Sequence, residues 1–88
     1  MKTRVPEALF RFTDNQLELS FLANNFSEWK SHLEANYPQF YQAVFSEQQL
    51  NPFVKLLKDG EIQTVANLNE MQFSKLDTLE IITAMSGG

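Results

Sequence analysis

Gly87 and Gly88 close an 88-residue sequence that contains only three glycines. A terminal pair without side chains can thread a narrow channel, and it places a carboxylate with little steric cover beside the catalytic groups of another protein. The chemistry this suggests is activation of the Gly88 carboxyl carbon, with Gly87 as its access hinge and Met85 and Ser86 as the segment leading to it. A frayed end is the plain alternative. What the preceding residues build decides between the two.

Other side chains offer less. His32 is the only histidine and has no second ligand type at metal spacing, so it reads as a surface helix residue and no metal site is expected. The serines at 20, 27, 31, 46, 74 and 86 lack a local nucleophile signature, and no spacing singles out an acid–base pair among the eleven carboxylates. Cysteine is absent, which excludes disulfides, thiolate metal sites and thiol catalysis. The formal charge of −4 argues against nucleic acid, since phosphate binding needs clustered Lys and Arg. Neither a signal peptide nor a long apolar span is evident, so the expected setting is cytoplasmic, with no membrane partner.

The elements that position the tail follow from patterning. Eight Phe, one Trp and 43% apolar residues supply the core of one globular domain. Ala8-Leu9-Phe10-Arg11-Phe12 alternates as a half-buried strand, with Ala8, Phe10 and Phe12 facing one way. Turn formers at Thr13–Gln16 lead to Leu17-Glu18-Leu19-Ser20-Phe21, and the two runs predict an N-terminal hairpin. Asn25 and Glu28 form a capping box for a helix whose apolar stripe is Phe26, Trp29, Leu33 and Tyr37. Pro38 ends it, and a short second helix spans Gln39 to about Phe45.

Phe53–Lys58 and Glu61–Val65 predict a second hairpin about the Asp59-Gly60 turn, where both central residues need positive φ. Leu68, Met71 and Phe73 anchor a less regular stretch. Leu79–Ala84 is nearly continuous in hydrophobicity, as in a central strand covered on much of both faces. A helix between two hairpins with a last strand parallel to the first is α+β: a ubiquitin-like β-grasp, a mixed sheet of four to five strands packed on one main helix plus a short second helix. Residues 1–84 form this domain and residues 85–88 a flexible diglycine tail. On the sheet face turned from the helix, Leu9, Arg11, Phe53 and Ile82 are the expected partner-binding patch, continued by Met85 and Ser86.

Four pieces of sequence resemble the β-grasp sulfur-carrier family, which includes the small subunit of molybdopterin synthase and the thiamin-pathway carrier. They are His32-Leu33-Glu34-Ala35-Asn36-Tyr37-Pro38, Phe53-Val54-Lys55-Leu56, Asp59-Gly60-Glu61-Ile62, and Asp77–Ile82 followed by Ser86-Gly87-Gly88. Leu76-Asp77 and Thr83-Ala84 stand where the family often has Gly-Asp and prolines. The resemblance implies that an adenylating, ubiquitin-activating-type enzyme uses ATP and Mg²⁺ to convert the Gly88 carboxylate to an acyl-adenylate. A sulfur donor then gives a thiocarboxylate, which passes sulfur to an accepting synthase or hydrolase in cofactor (molybdopterin or thiamin) or amino-acid (cysteine or homocysteine) biosynthesis. The chain would bind no cofactor itself and would be a cosubstrate rather than an enzyme. A ubiquitin-like modifier joined to target lysines, and a non-catalytic β-grasp interaction domain, are the competing expectations.

Overall fold

The structure is a computed structural model that describes residues 1–47 and 49–83. Its five-stranded sheet has the order β2-β1-β7-β5-β6, built from β1 (Lys2–Arg4), β2 (Glu18–Ser20), β5 (Val54–Lys58), β6 (Glu61–Gln63) and β7 (Thr78–Thr83). β7 lies in the middle, parallel to β1 and antiparallel to β5. Helices α1 (Phe26–Asn36), α2 (Pro38–Val44) and α3 (Val65–Asn69) complete the domain with a small ribbon of β3 (Phe45–Ser46) and β4 (Gln49–Leu50). The α+β, β-grasp architecture expected from the pattern is the one observed.

Local chemistry accounts for α1. The Asn25 side chain accepts a hydrogen bond from the Glu28 N–H at 2.9 Å. The Glu28 carboxylate reaches back to accept from the Asn24 N–H at 3.0 Å, one residue before the usual partner. Phe26, Trp29 and Leu33 then fall on one buried face, and Tyr37 packs beside them half-buried. Pro38 starts α2 at its first turn, where the missing N–H costs nothing. The indole N–H of Trp29 donates to Thr3 Oγ1 at 2.8 Å, which ties α1 to β1 inside the core.

The N-terminal strand differs from expectation. Glu7–Thr13, which alternates in sequence, forms a 3₁₀ helix, and the strand is Lys2–Arg4. Pro6 fixes an extended φ of −68° just ahead of the helix, and burial selects Leu9 and Thr13, a helical spacing, over the alternating Ala8, Phe10 and Phe12. Thr13 satisfies its buried hydroxyl against the Gln16 and Phe10 carbonyls at 2.7 and 3.0 Å. β1 and β2 are still antiparallel neighbours, joined by this helix and not by a tight turn.

The second hairpin forms as the sequence predicts, with φ of 53° at Asp59 and 87° at Gly60, and Lys58 opposite Glu61. β5 begins at Val54 because Pro52-Phe53 belongs to a turn in which the Asn51 side chain accepts from the Phe53 N–H at 3.1 Å. β6 ends at Gln63 because the Thr64 hydroxyl accepts from the Asn67 N–H and caps α3. Leu68 and Phe73 are buried and Met71 packs half-buried against the core. β7 differs in one respect: Leu79 and Ile81 are buried, but Ile82 is 39% exposed. Only one face of the strand is well covered.

β7 is introduced by a rigid turn. Asp77 accepts from the Ser74 N–H at 2.8 Å and lies 3.5 Å from Lys58 Nζ, with both side chains largely buried. The Ser74 backbone bond, with Lys58 assisting, holds the Asp77 carboxyl below its ordinary value. Lys58 is shifted up, first by its bond to Asp59 and further by Asp77. A lowered carboxyl contributes stability that is complete above its unfolded value and is lost as pH falls through the folded one; the raised Lys58 contributes below its unfolded value and loses that as pH rises through the folded one. Asp77→Asn keeps an acceptor for Ser74 and removes the charge. It is expected to cost about 1 kcal/mol at neutral pH and to flatten the acid-side loss of stability, as urea titrations across pH would report.

Candidate functional site: the root of the C-terminal tail

β7 is fastened differently on its two sides. β5 pairs with it as far as Thr83, opposite Val54. The β1 ladder stops earlier, at Arg4 opposite Glu80. The last described residue therefore sits at a fixed height over the sheet end, held by one neighbour and open on the other side. Gly87 and Gly88, with Met85 and Ser86, lie outside the described residues, so what is seen of the expected site is its base.

The sheet face away from the helices follows from register. Lys2, Arg4, Glu18, Ser20, Thr78 and Glu80 occupy its β2–β1–β7 half, where Lys2 lies 3.9 Å from Glu18. Ile82, Lys55, Leu57 and Ile62 occupy its β7–β5–β6 half, through the pairs Lys55↔Ile82, Leu57↔Glu80 and Leu57↔Ile62. Phe53, just before β5, is 57% exposed and Ile62 is 67% exposed. Lys55 is exposed among these apolar groups and has no ion-pair partner among the described residues.

Of the four body residues expected in a docking patch, Phe53 and Ile82 are exposed at the β5–β7 end of this face. Leu9 is a correction: it is 6% exposed and belongs to the hydrophobic core, because the 3₁₀ turn rotates it inward. Arg11 is exposed but is carried by that same helix and not by a strand, with its guanidinium 4.9 Å from the Phe12 ring centre. Leu57 and Ile62 were missed, although the Asp59-Gly60 turn fixes their pairing and strand alternation then fixes their face.

His32 stacks on Phe21, with ring centres 3.7 Å apart and planes within 9°. Its role is packing between α1 and the end of β2. Among the described residues no three His, Cys, Asp or Glu side chains cluster as a metal site, and no helix is long and apolar enough to cross a membrane.

No protein-family model matches the sequence, and no curated protein matches it. Solved structures match the fold over nearly its whole length. CysO of Mycobacterium tuberculosis superposes with a TM-score of 0.80 at 22% identity, covering 96% of this chain and 98% of the other. The structure of the Amycolatopsis orientalis BexX/CysO complex gives 0.82 at 20% identity over 99% and 98%. SAMP1 of Haloferax volcanii gives 0.75 at 18% over 100% and 98%. The chain is a ubiquitin-like β-grasp protein in fold.

Proposed function

We propose that the protein is a sulfur carrier that works through the Gly88 carboxyl group. The Gly88 carboxylate attacks the α-phosphorus of ATP on an adenylating partner with Mg²⁺, and pyrophosphate leaves. Hydrosulfide, or sulfur delivered at that oxidation level by a donor, then attacks the acyl carbon. AMP departs and a thiocarboxylate remains, whose sulfur is nucleophilic toward the substrate of an accepting synthase or hydrolase. Adenylation is needed because a carboxylate is a poor electrophile, and the absence of cysteine leaves no internal thiol to trap the activated carbon. The protein supplies the reacting terminus and the partners supply the catalytic groups, all in the cytoplasm.

The observation that carries this reading is a diglycine terminus five residues beyond a strand at the centre of the sheet, with an exposed apolar half-face beside the strand's end. The family resemblance of the sequence and the fold shared with CysO and SAMP1 support it. A carrier with no cysteine also gives a clean test. After incubation with its activating enzyme, ATP and sulfide, iodoacetamide is expected to label the protein once, at Gly88. Labelling that is absent, or that persists without ATP, contradicts the proposal. Lysine-linked conjugates formed in place of a labelled terminus would identify a modifier.

A further inference from the structure

A groove of about 520 Å³ opens beside the last residues of β7. Val5, Pro6 and Leu17 line it opposite Ile81 and Ile82, and Leu17 is 49% exposed there. Its charged lining is Arg4 with three carboxylates, Glu7, Glu18 and Glu80. The balance is acidic over an apolar floor.

The backbone adds a direction. In the parallel ladder Lys2 N–H donates to the Asp77 carbonyl at 2.9 Å, one residue before its register partner Thr78. Repetition at two-residue steps aims Arg4 at the Leu79 carbonyl and position 6 at the Ile81 carbonyl. Position 6 is Pro6, which has no N–H to give. The Asp59 N–H bond to the Thr78 carbonyl shows that even-numbered residues of β7 turn toward β5. The Ile81 carbonyl and the Thr83 N–H therefore both turn to the β1 side, past the last donor that β1 provides. An acceptor and a donor two residues apart on one edge are what a short added strand pairs with.

We propose that this groove binds an extended segment of a partner protein in which basic and apolar residues alternate, added to the sheet in line with β1 and paired with Ile81 and Thr83. Strand alternation makes the match specific. Leu17, half-exposed on the core side where Val5 and Ile81 are buried, receives the apolar side chains. Glu18 and Glu80 share the open face with Arg4 by register, and there they receive the basic ones. The segment would grip the root of the tail without touching the tail itself. This inference does not depend on the chemistry proposed at Gly88, and either can fail alone.

The test is an amide-shift titration of the isotope-labelled full chain with the capped peptide Gly-Lys-Val-Lys-Val-Gly, and with its counterpart carrying Glu for Lys. The basic peptide is expected to shift the amides of Val5, Leu17 and Ile81–Thr83 saturably, with the Thr83 amide moving downfield as its hydrogen bond forms. The acidic peptide is expected to bind about tenfold more weakly. Leu17→Ser, at a half-exposed site the fold tolerates, and a basic peptide N-methylated at both lysines, the residues whose N–H groups face β7 in this register, are each expected to lose most of the affinity. Equal affinity for the two peptides, shifts centred elsewhere, no saturable shift, or indifference to N-methylation would overturn the proposal.

Discussion

Removal of Gly87 and Gly88 is expected to abolish adenylation of the protein while leaving its unfolding midpoint unchanged. Adenylation is read as pyrophosphate exchange on the activating enzyme, and stability as a urea titration. The separation of the two effects follows from where the core ends. Among the described residues the buried core runs from Met1 to Ile81 and is closed by the helices packing on the sheet. The proposed chemistry assigns the terminal glycines reactivity and assigns stability to this core. Gly88→Ala keeps the carboxylate and adds a Cβ beside the attacked carbon. A displacement of that size at a reacting centre costs about a hundredfold in rate, so this variant is expected to fall between the full chain and the truncation. A truncated protein that is still adenylated would move the chemistry elsewhere in the chain.

Trp29→Ala is expected to have the largest effect on stability, about 3–5 kcal/mol by the cost of emptying an aromatic site in a packed core. Trp29 is fully buried, stacks near Phe26 at 5.6 Å and meets the edge of Phe45 at 6.1 Å between ring centres. Its loss also leaves the buried Thr3 hydroxyl without its indole donor. A domain of 88 residues has a total stability of about 4–13 kcal/mol, so the variant loses a large share of it, and Trp29→Phe is the control. The latter keeps a ring but not the N–H, and is expected to cost about 1–3 kcal/mol. Urea midpoints for the two substitutions check both figures. If Trp29→Phe costs as much as Trp29→Ala, the hydrogen bond to Thr3 outweighs the packing.

The legible parts of the sequence were those where local chemistry and tertiary packing agree. The cap at Asn25, the Phe26–Trp29–Leu33 stripe, Pro38 and the Asp59-Gly60 turn each act over a few residues and form as read, with Glu28 reaching Asn24 in place of Asn25. Ala8–Phe12 misled because alternation over five residues also fits a helical turn, and the choice was made by Pro6 and by burial of Leu9 against the rest of the core. That one error moved Leu9 from the expected docking face to the interior. It also hid β1, whose three residues Lys2–Arg4 carry a single buried side chain, Thr3, and have no hydrophobic pattern to detect. β7 looked two-sided because Ile81 and Ile82 are adjacent, although only Ile81 points into the core. The groove at Pro6 and Leu17 was not visible at all. It arises where two segments distant in sequence meet the end of β7, and no local pattern marks it.

The proposed chemistry takes place at one carbon atom, which intact-protein mass spectrometry with C-terminal fragmentation can locate. The full chain is incubated with its activating enzyme, ATP, Mg²⁺ and sulfide. A mass increase equal to the exchange of one oxygen for one sulfur, located on Gly88 and dependent on ATP, is expected. An unchanged mass with an activating enzyme that demonstrably adenylates the protein, or a sulfur atom located on any other residue, would contradict it.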